Sequence, residues 1–139
     1  MWSDTELAYL AGIIDGEGTL FIQRRMDNGT WTYWPRMQVA NTNREVILWL
    51  HKVFGGSMYD KPRKKHNPKW KLQYQWYSRI SEMDKFLPLI IPYLIIKKPH
   101  AEIMMQFRKT FIQRSNRKLT DEAQAFRSEC MAKIKHLNS

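Results

Sequence analysis

The sequence predicts an α+β domain, an αββαββα core around one four-stranded antiparallel sheet followed by C-terminal helices. Three observations carry this. Apolar residues recur at helical spacing after Ser3 and after Asn43. Two pairs of short alternating runs follow those stretches, each bounded by turn residues. Further amphipathic segments close the chain.

Ser3 with Glu6 three residues on is a capping-box pattern, so a helix starts at Ser3 or Asp4 and carries Leu7, Leu10, Ala11 and Ile14 on one face. Gly16 and Gly18 end it. Thr19 to Met26 alternates as a strand, Asp27-Asn28-Gly29 signals a turn, and Trp31 to Ala40 reads as the returning strand. Pro35 within that strand predicts an edge position or a bulge. Asn41-Thr42-Asn43 offers a cap for a second helix with Val46, Ile47, Leu50 and Val53 on one face, stopped by Gly55-Gly56. Ser57 to Asp60 and Lys71 to Ser78 form the second strand pair around a basic loop. Ser81 to Ile90 reads as a capped third helix, Pro92 breaks the chain, and helices from about Pro99 to Arg114 and from Thr120 to about His136 complete it.

A chain of 139 residues is expected to form a single domain, residues 1–139. Its 23 Lys and Arg against 13 Asp and Glu leave a charge of +10, which favours a polyanionic partner, nucleic acid before an acidic membrane. The single cysteine, Cys130, excludes an intrachain disulfide and a cysteine-rich zinc site. The N-terminus lacks a signal-peptide pattern and the longest apolar run, Leu87 to Ile96, holds two prolines, so an intracellular protein with no membrane partner is expected.

The stretch LAYLAGIIDGEG, Leu7 to Gly18, has two peculiarities. Ala8, Gly12 and Gly16 lie at i, i+4 and i+8, one helical stripe without bulk. Such a stripe either faces the protein's own core or lets another helix approach closely. Glycine inside a helix costs about 1 kcal/mol against alanine, which favours a steric demand at Gly12. Glu17, between Gly16 and Gly18, is expected just beyond the helix, where the macrodipole offers a carboxylate nothing. It is either a solvated turn acid or a ligand for a hard cation.

Leu10 to Gly18, LAGIIDGEG, resembles the LAGLIDADG motif of homing endonucleases, with Glu for the second Asp. The element order fits that family, and Asn41 to Val46 and Pro92 to Lys98 resemble the segments that open its second helix and precede its late helix. The resemblance implies that motif helices of two units pack together and that the acids at their ends meet over the scissile phosphates. With one motif, the active form would be a homodimer, with Ala8, Ala11, Gly12 and Asp15 at the interface, cutting double-stranded DNA at a roughly palindromic target. Glu17 would be catalytic and, with the Gly16 carbonyl, would hold Mg²⁺ or another divalent cation such as Mn²⁺. Asp15 would tie down the motif backbone. Lys97 aligns with a basic residue beside the scissile phosphate and is otherwise a solvated lysine. Asn41 aligns with a residue that positions water and is otherwise a helix cap. Arg44 is a further catalytic candidate, whereas His51, His66, His100 and His136 form no nuclease motif.

The same reading assigns a DNA surface. Strand alternation puts Leu20, Ile22, Met37 and Val39 on the core face, and Phe21, Gln23, Arg25, Trp34, Arg36 and Gln38 outward, where Arg and Gln suit base edges. Lys61, Arg63, Lys64, Lys65, Lys69 and Lys71 fall within eleven residues without an acid and would contact phosphates. Arg108, Lys109, Arg114, Arg117 and Lys118 would meet flanking backbone. In the fourth strand Gln73, Gln75 and Tyr77 alternate with Leu72, Tyr74 and Trp76; periodicity favours the glutamines outward, but Tyr and Trp suit either face, so the choice stays open. The rival readings are a non-cleaving relative, acting as an RNA maturase or a DNA-binding regulator, and an RNA-binding module that stacks bases on the 13% aromatic residues.

Overall fold

Ser3 opens the first helix as the spacing predicts. Its hydroxyl accepts the Glu6 N–H at 3.1 Å and the Glu6 carboxylate accepts the Ser3 N–H at 2.9 Å. The computed structural model describes residues 1–61, 72–112 and 120–139. Helix α1 (Asp4–Glu17) leads directly into β1 (Gly18–Asp27) and β2 (Thr30–Asn41). Helix α2 (Arg44–Phe54), β3 (Ser57–Lys61), β4 (Gln73–Tyr77), α3 (Ile80–Ile90), a 3-10 turn at Ile91–Tyr93, α4 (Lys98–Ile112) and α5 (Asp121–Leu137) follow.

The sheet is antiparallel in the order β1-β2-β4-β3, so the two hairpins meet through β2 and β4. Its tip chemistry is the expected one: Asn28 and Gly29 both take positive φ, 49° and 80°, which matches a two-residue hairpin turn to the strand twist. Helices cover one face. Leu20, Ile22, Met37, Val39 and Trp76 point into a core filled by Leu10 and Ile14 of α1, Ile47 and Leu50 of α2, Met83 and Phe86 of α3, Met104 and Phe107 of α4, and Ile134 of α5. Trp76 donates its indole N–H to the Gly55 carbonyl at 2.7 Å, so the largest core side chain leaves no polar atom unpaired.

One local expectation is settled and others change. Pro35 takes the edge alternative without a bulge: the β1–β2 register runs without a slip from Gly18↔Val39 to Asp27↔Thr30. The proline is tolerated because β4 pairs only with Gln38 to Asn41, so β2 at Pro35 has a strand on one side alone. Asn43, not Asn41, caps α2 by accepting the Glu45 N–H at 2.9 Å, while Asn41 accepts the Asn43 N–H at 2.8 Å and shapes the turn before it. Gly16 lies inside the last turn of α1, and Glu17 is the final helical residue rather than the first beyond it. Helix α3 starts after Arg79 with no side-chain cap.

Candidate active site

Gly18 explains how a helix turns into a strand without a loop. A Cβ there would stand 2.7 Å from the Ile14 Cα and 2.8 Å from its carbonyl oxygen, so only glycine lets the chain fold back this closely. The turn leaves Glu17 exposed at the end of the sheet where β2 also ends with Asn41.

Two residues earlier, Asp15 is half-buried and faces the segment before α4. Its carboxylate accepts the backbone N–H of Ile95 at 2.7 Å, of Ile96 at 3.1 Å and of Lys97 at 2.9 Å. Three donors converging on one carboxylate fix the register between α1 and α4, elements about eighty positions apart. They also set Lys97, half-buried, at the same end of the domain as Glu17. Glu17, Asn41 and Lys97 are thus brought to one end of the sheet. Arg44 is the first residue of α2 and is exposed near it.

One turn beyond Lys97, His100 is buried at the base of this segment. Its Nε2 lies 3.1 Å from the Asn138 amide oxygen, and the Asn138 amide donates to the Leu20 carbonyl at 3.0 Å. Burial and then the Lys97 charge push the imidazole below its ordinary value, against the hydrogen bond to Asn138.

The free face of α1 carries Ala8, Gly12 and Gly16. A Cβ at Gly12 or Gly16 would meet nothing within 4 Å, so no part of the described chain demands glycine at either position. Ala11 is off this face, fully buried in the chain's own core. Beside the bare stripe stand exposed Tyr9 and Tyr93, then Ile95 and Ile96, with Ile95 85% exposed although Asp15 holds its backbone. The sequence patterns did not single out these four. Among the described residues no cluster of three His, Cys, Asp or Glu could hold a metal; at this end the Asp15 carboxylate is engaged by three backbone N–H groups, whereas Glu17 is exposed.

The uncovered face of the sheet gathers Phe21, Gln23 and Arg25 of β1 with Trp34, Arg36 and Gln38 of β2, as alternation predicts. Pairing settles the fourth strand. Trp76 lies opposite buried Val39, so Gln73, Gln75 and Tyr77 share the uncovered face with Gln38, joined by Tyr59 of β3. The Arg36 guanidinium stacks 4.6 Å from the centroid of Tyr77, and Tyr59 meets Tyr77 edge-on at 5.9 Å. Lys61 pairs with Gln73 through its backbone, and its side chain lies outside the described residues. Arg63, Lys64, Lys65, Lys69, Lys71, Arg114, Arg117 and Lys118 also lie outside them. Arg108 holds Asp84 through two hydrogen bonds of 2.8 and 2.7 Å, which makes it a tie between α4 and α3 rather than an open cation.

No family model matches the chain, and no curated protein matches it in sequence. Solved structures do. The archaeal intron-encoded homing endonuclease I-Vdi141I, in complex with DNA, superposes with a TM-score of 0.79 at 15% identity over 98% of this chain and 86% of its own. The homing endonuclease I-CvuI, on a DNA target in the presence of Mg, gives 0.61 at 17% identity over 96% of this chain and 97% of its own. The LAGLIDADG homing endonuclease I-LtrWI, bound to target DNA, gives 0.67 at 16% identity over 96% of this chain but 45% of its own. In both element order and chain path, this chain has the fold of the LAGLIDADG homing endonucleases.

Proposed function

We propose that the chain is a site-specific double-strand DNA endonuclease that hydrolyses phosphodiester bonds as a homodimer, at a long and roughly palindromic target. The observation that carries this reading is the end of α1: an exposed Glu17 closes a helix on whose bare face a Cβ at Gly12 or Gly16 would meet nothing within 4 Å among the described residues. Two copies packed through Ala8, Gly12 and Gly16 would bring two Glu17 carboxylates together.

A hard divalent cation takes several oxygen ligands, more than one Glu17 supplies. Paired Glu17 carboxylates with the Gly16 carbonyls fit that requirement, with Mg²⁺ or Mn²⁺ as the ion. Such an ion supplies charge neutralisation at the phosphate and an acidified water. The chain's own residues do the rest. Lys97, set by the Asp15 hydrogen bonds, places a positive charge beside the scissile phosphate. Asn41 orients water at the same end, and Arg44 adds a second cation there. The uncovered sheet face, lined by Gln, Arg and aromatic side chains, docks in the major groove. Arg63, Lys64 and Lys65 belong to a basic loop that contacts phosphates together with Lys61.

Cleavage of a randomised duplex library with and without Mg²⁺, run beside Glu17→Gln, tests this. Metal-dependent cuts at one near-palindromic sequence, lost in Glu17→Gln while binding persists, are expected. Sequence-specific binding without cutting by either protein would replace the enzyme with a DNA-binding regulator, and binding of RNA alone would replace it with a maturase-like role.

A further inference from the structure

Arg25 and Asp27 stand two residues apart on the uncovered face of β1, next to the Asn28-Gly29 turn. The Arg25 Nε donates to both oxygens of the Asp27 carboxylate, at 3.1 and 3.2 Å. The guanidinium carbon lies 5.8 Å from the centroid of Trp34. With Nε engaged, the two Nη nitrogens form the outward edge of the group, and among the described residues neither donates to a protein acceptor.

An ion pair this exposed, 69% for Arg25 and 42% for Asp27, adds little to stability. A carboxylate on a surface meant for a polyanion is also unfavourable by itself. What the acid does achieve is geometric. A free arginine samples many rotamers, whereas one held at Nε presents its two Nη groups as a fixed, parallel pair of donors. Among the base edges of the major groove, guanine offers two adjacent acceptors, O6 and N7, that match such a pair.

We propose that Asp27 is a positioning residue that holds Arg25 to read a guanine in each half-site. The inference rests on the proposal that this sheet face docks on DNA. Arg25 follows Glu17 by eight residues. At about 3.3 Å per strand residue that is roughly 26 Å, or about seven to eight base pairs of duplex. The guanine read by Arg25 therefore lies in the outer part of the half-site, far from the bonds that are cut.

Selection of a randomised duplex library by binding, in the absence of Mg²⁺, tests the assignment with the full-length parent, Arg25→Ala, Asp27→Ala, Asp27→Glu and the double alanine variant. The parent is expected to enrich guanine at one outer position per half-site. Asp27→Ala should lose about tenfold or more of that preference, at that position alone, while its affinity for unselected DNA rises because a negative charge has gone. Arg25→Ala should abolish the preference, the double variant should match Arg25→Ala, and Asp27→Glu should recover part of it. If Asp27→Ala keeps the guanine preference, or weakens every position evenly, the positioning role is overturned while DNA reading stands. If the parent enriches no sequence at all, the DNA reading falls and the assignment with it.

Discussion

Asp15 accepts the backbone N–H of Lys97 at 2.9 Å, across 82 positions of sequence, and so ties the motif helix to the segment before α4. Because the same carboxylate also holds Ile95 and Ile96, its loss would free three donors at once. Asp15→Ala is expected to cost about 2 kcal/mol of stability and to speed amide exchange at Ile95 to Lys97. Chemical denaturation together with hydrogen exchange checks both. Cleavage should fall further than stability explains, through the misplaced Lys97, and Asp15→Asn should sit between. Slow exchange at these amides in Asp15→Ala would show that the segment is held by something else.

The bare face of α1 separates intrachain from interchain demand. A Cβ at Gly12 meets nothing within 4 Å among the described residues, so a monomer carrying Gly12→Ala should gain about 1 kcal/mol of helix stability. Gly12→Leu should likewise fold, yet should raise the dimer dissociation constant by an order of magnitude or more by keeping the two helices apart. Sedimentation equilibrium on both variants reads this. A dimer untouched by Gly12→Leu would place the interface elsewhere.

His100 supplies a pH dependence. Burial and Lys97 hold its folded value below the ordinary 6.5, so below that pH the unfolded chain binds more protons than the native one and stability rises with pH. The contribution of neutral His100 is complete above about 6.5. It declines as the pH falls below that value and is gone beneath the folded one. Its Nδ1 is buried without a hydrogen-bond partner among the described residues, so no acceptor awaits the added proton. Melting temperature should therefore drop between pH 7.5 and 5, and His100→Gln should flatten that part of the profile.

Gly56 is a stricter requirement than Gly12. It takes φ +86°, and a Cβ would strike the Tyr77 carbonyl oxygen and come within 2.9 Å of the Trp76 indole nitrogen. Gly56→Ala combines backbone strain with a clash against β4, and should destabilise the domain by more than about 2 kcal/mol. Urea denaturation with circular dichroism measures it.

Local signals in the sequence are the ones the fold obeys most closely. The capping box at Ser3 and Glu6, the Asn28-Gly29 turn and the alternation that sends Leu20 inward and Gln23 outward each act within a few residues. Their chemistry is complete in the local string. The alternation in β4 favoured the glutamines outward but left the face open, because Tyr74, Trp76 and Tyr77 suit either; pairing of Trp76 with buried Val39 decides it in that direction. Pro35 left an edge position and a bulge both open for the same reason, since the choice depends on where a distant strand stops. The motif made Glu17 visible, but not the three donors that Asp15 receives from beyond position 94, nor Ile95 and Ile96 beside it. Asp27 stood two positions from Arg25 but read as the first residue of the turn; the structure extends β1 to Asp27 and puts both on one face. Its significance emerges only from the direction in which the arginine nitrogen points.

The two hairpins of the sheet are unequal in length: β1 and β2 extend together to the Asn28-Gly29 tip, whereas β4 reaches only the last residues of β2. The long arm thus continues past the shared part of the sheet, and α5 braces it from behind through Gln124, which donates to the Trp31 carbonyl at 2.6 Å, and through Asn138 on Leu20. Such an arrangement divides the molecule by mutational tolerance. Changes on the uncovered side of the arm alter what its surface presents while leaving the helix junction at Gly18 untouched. Changes at the junction disturb every element at once. On the proposed reading, a lineage of such chains drifts from one DNA target to another by outer steps first, the helix junction inherited intact.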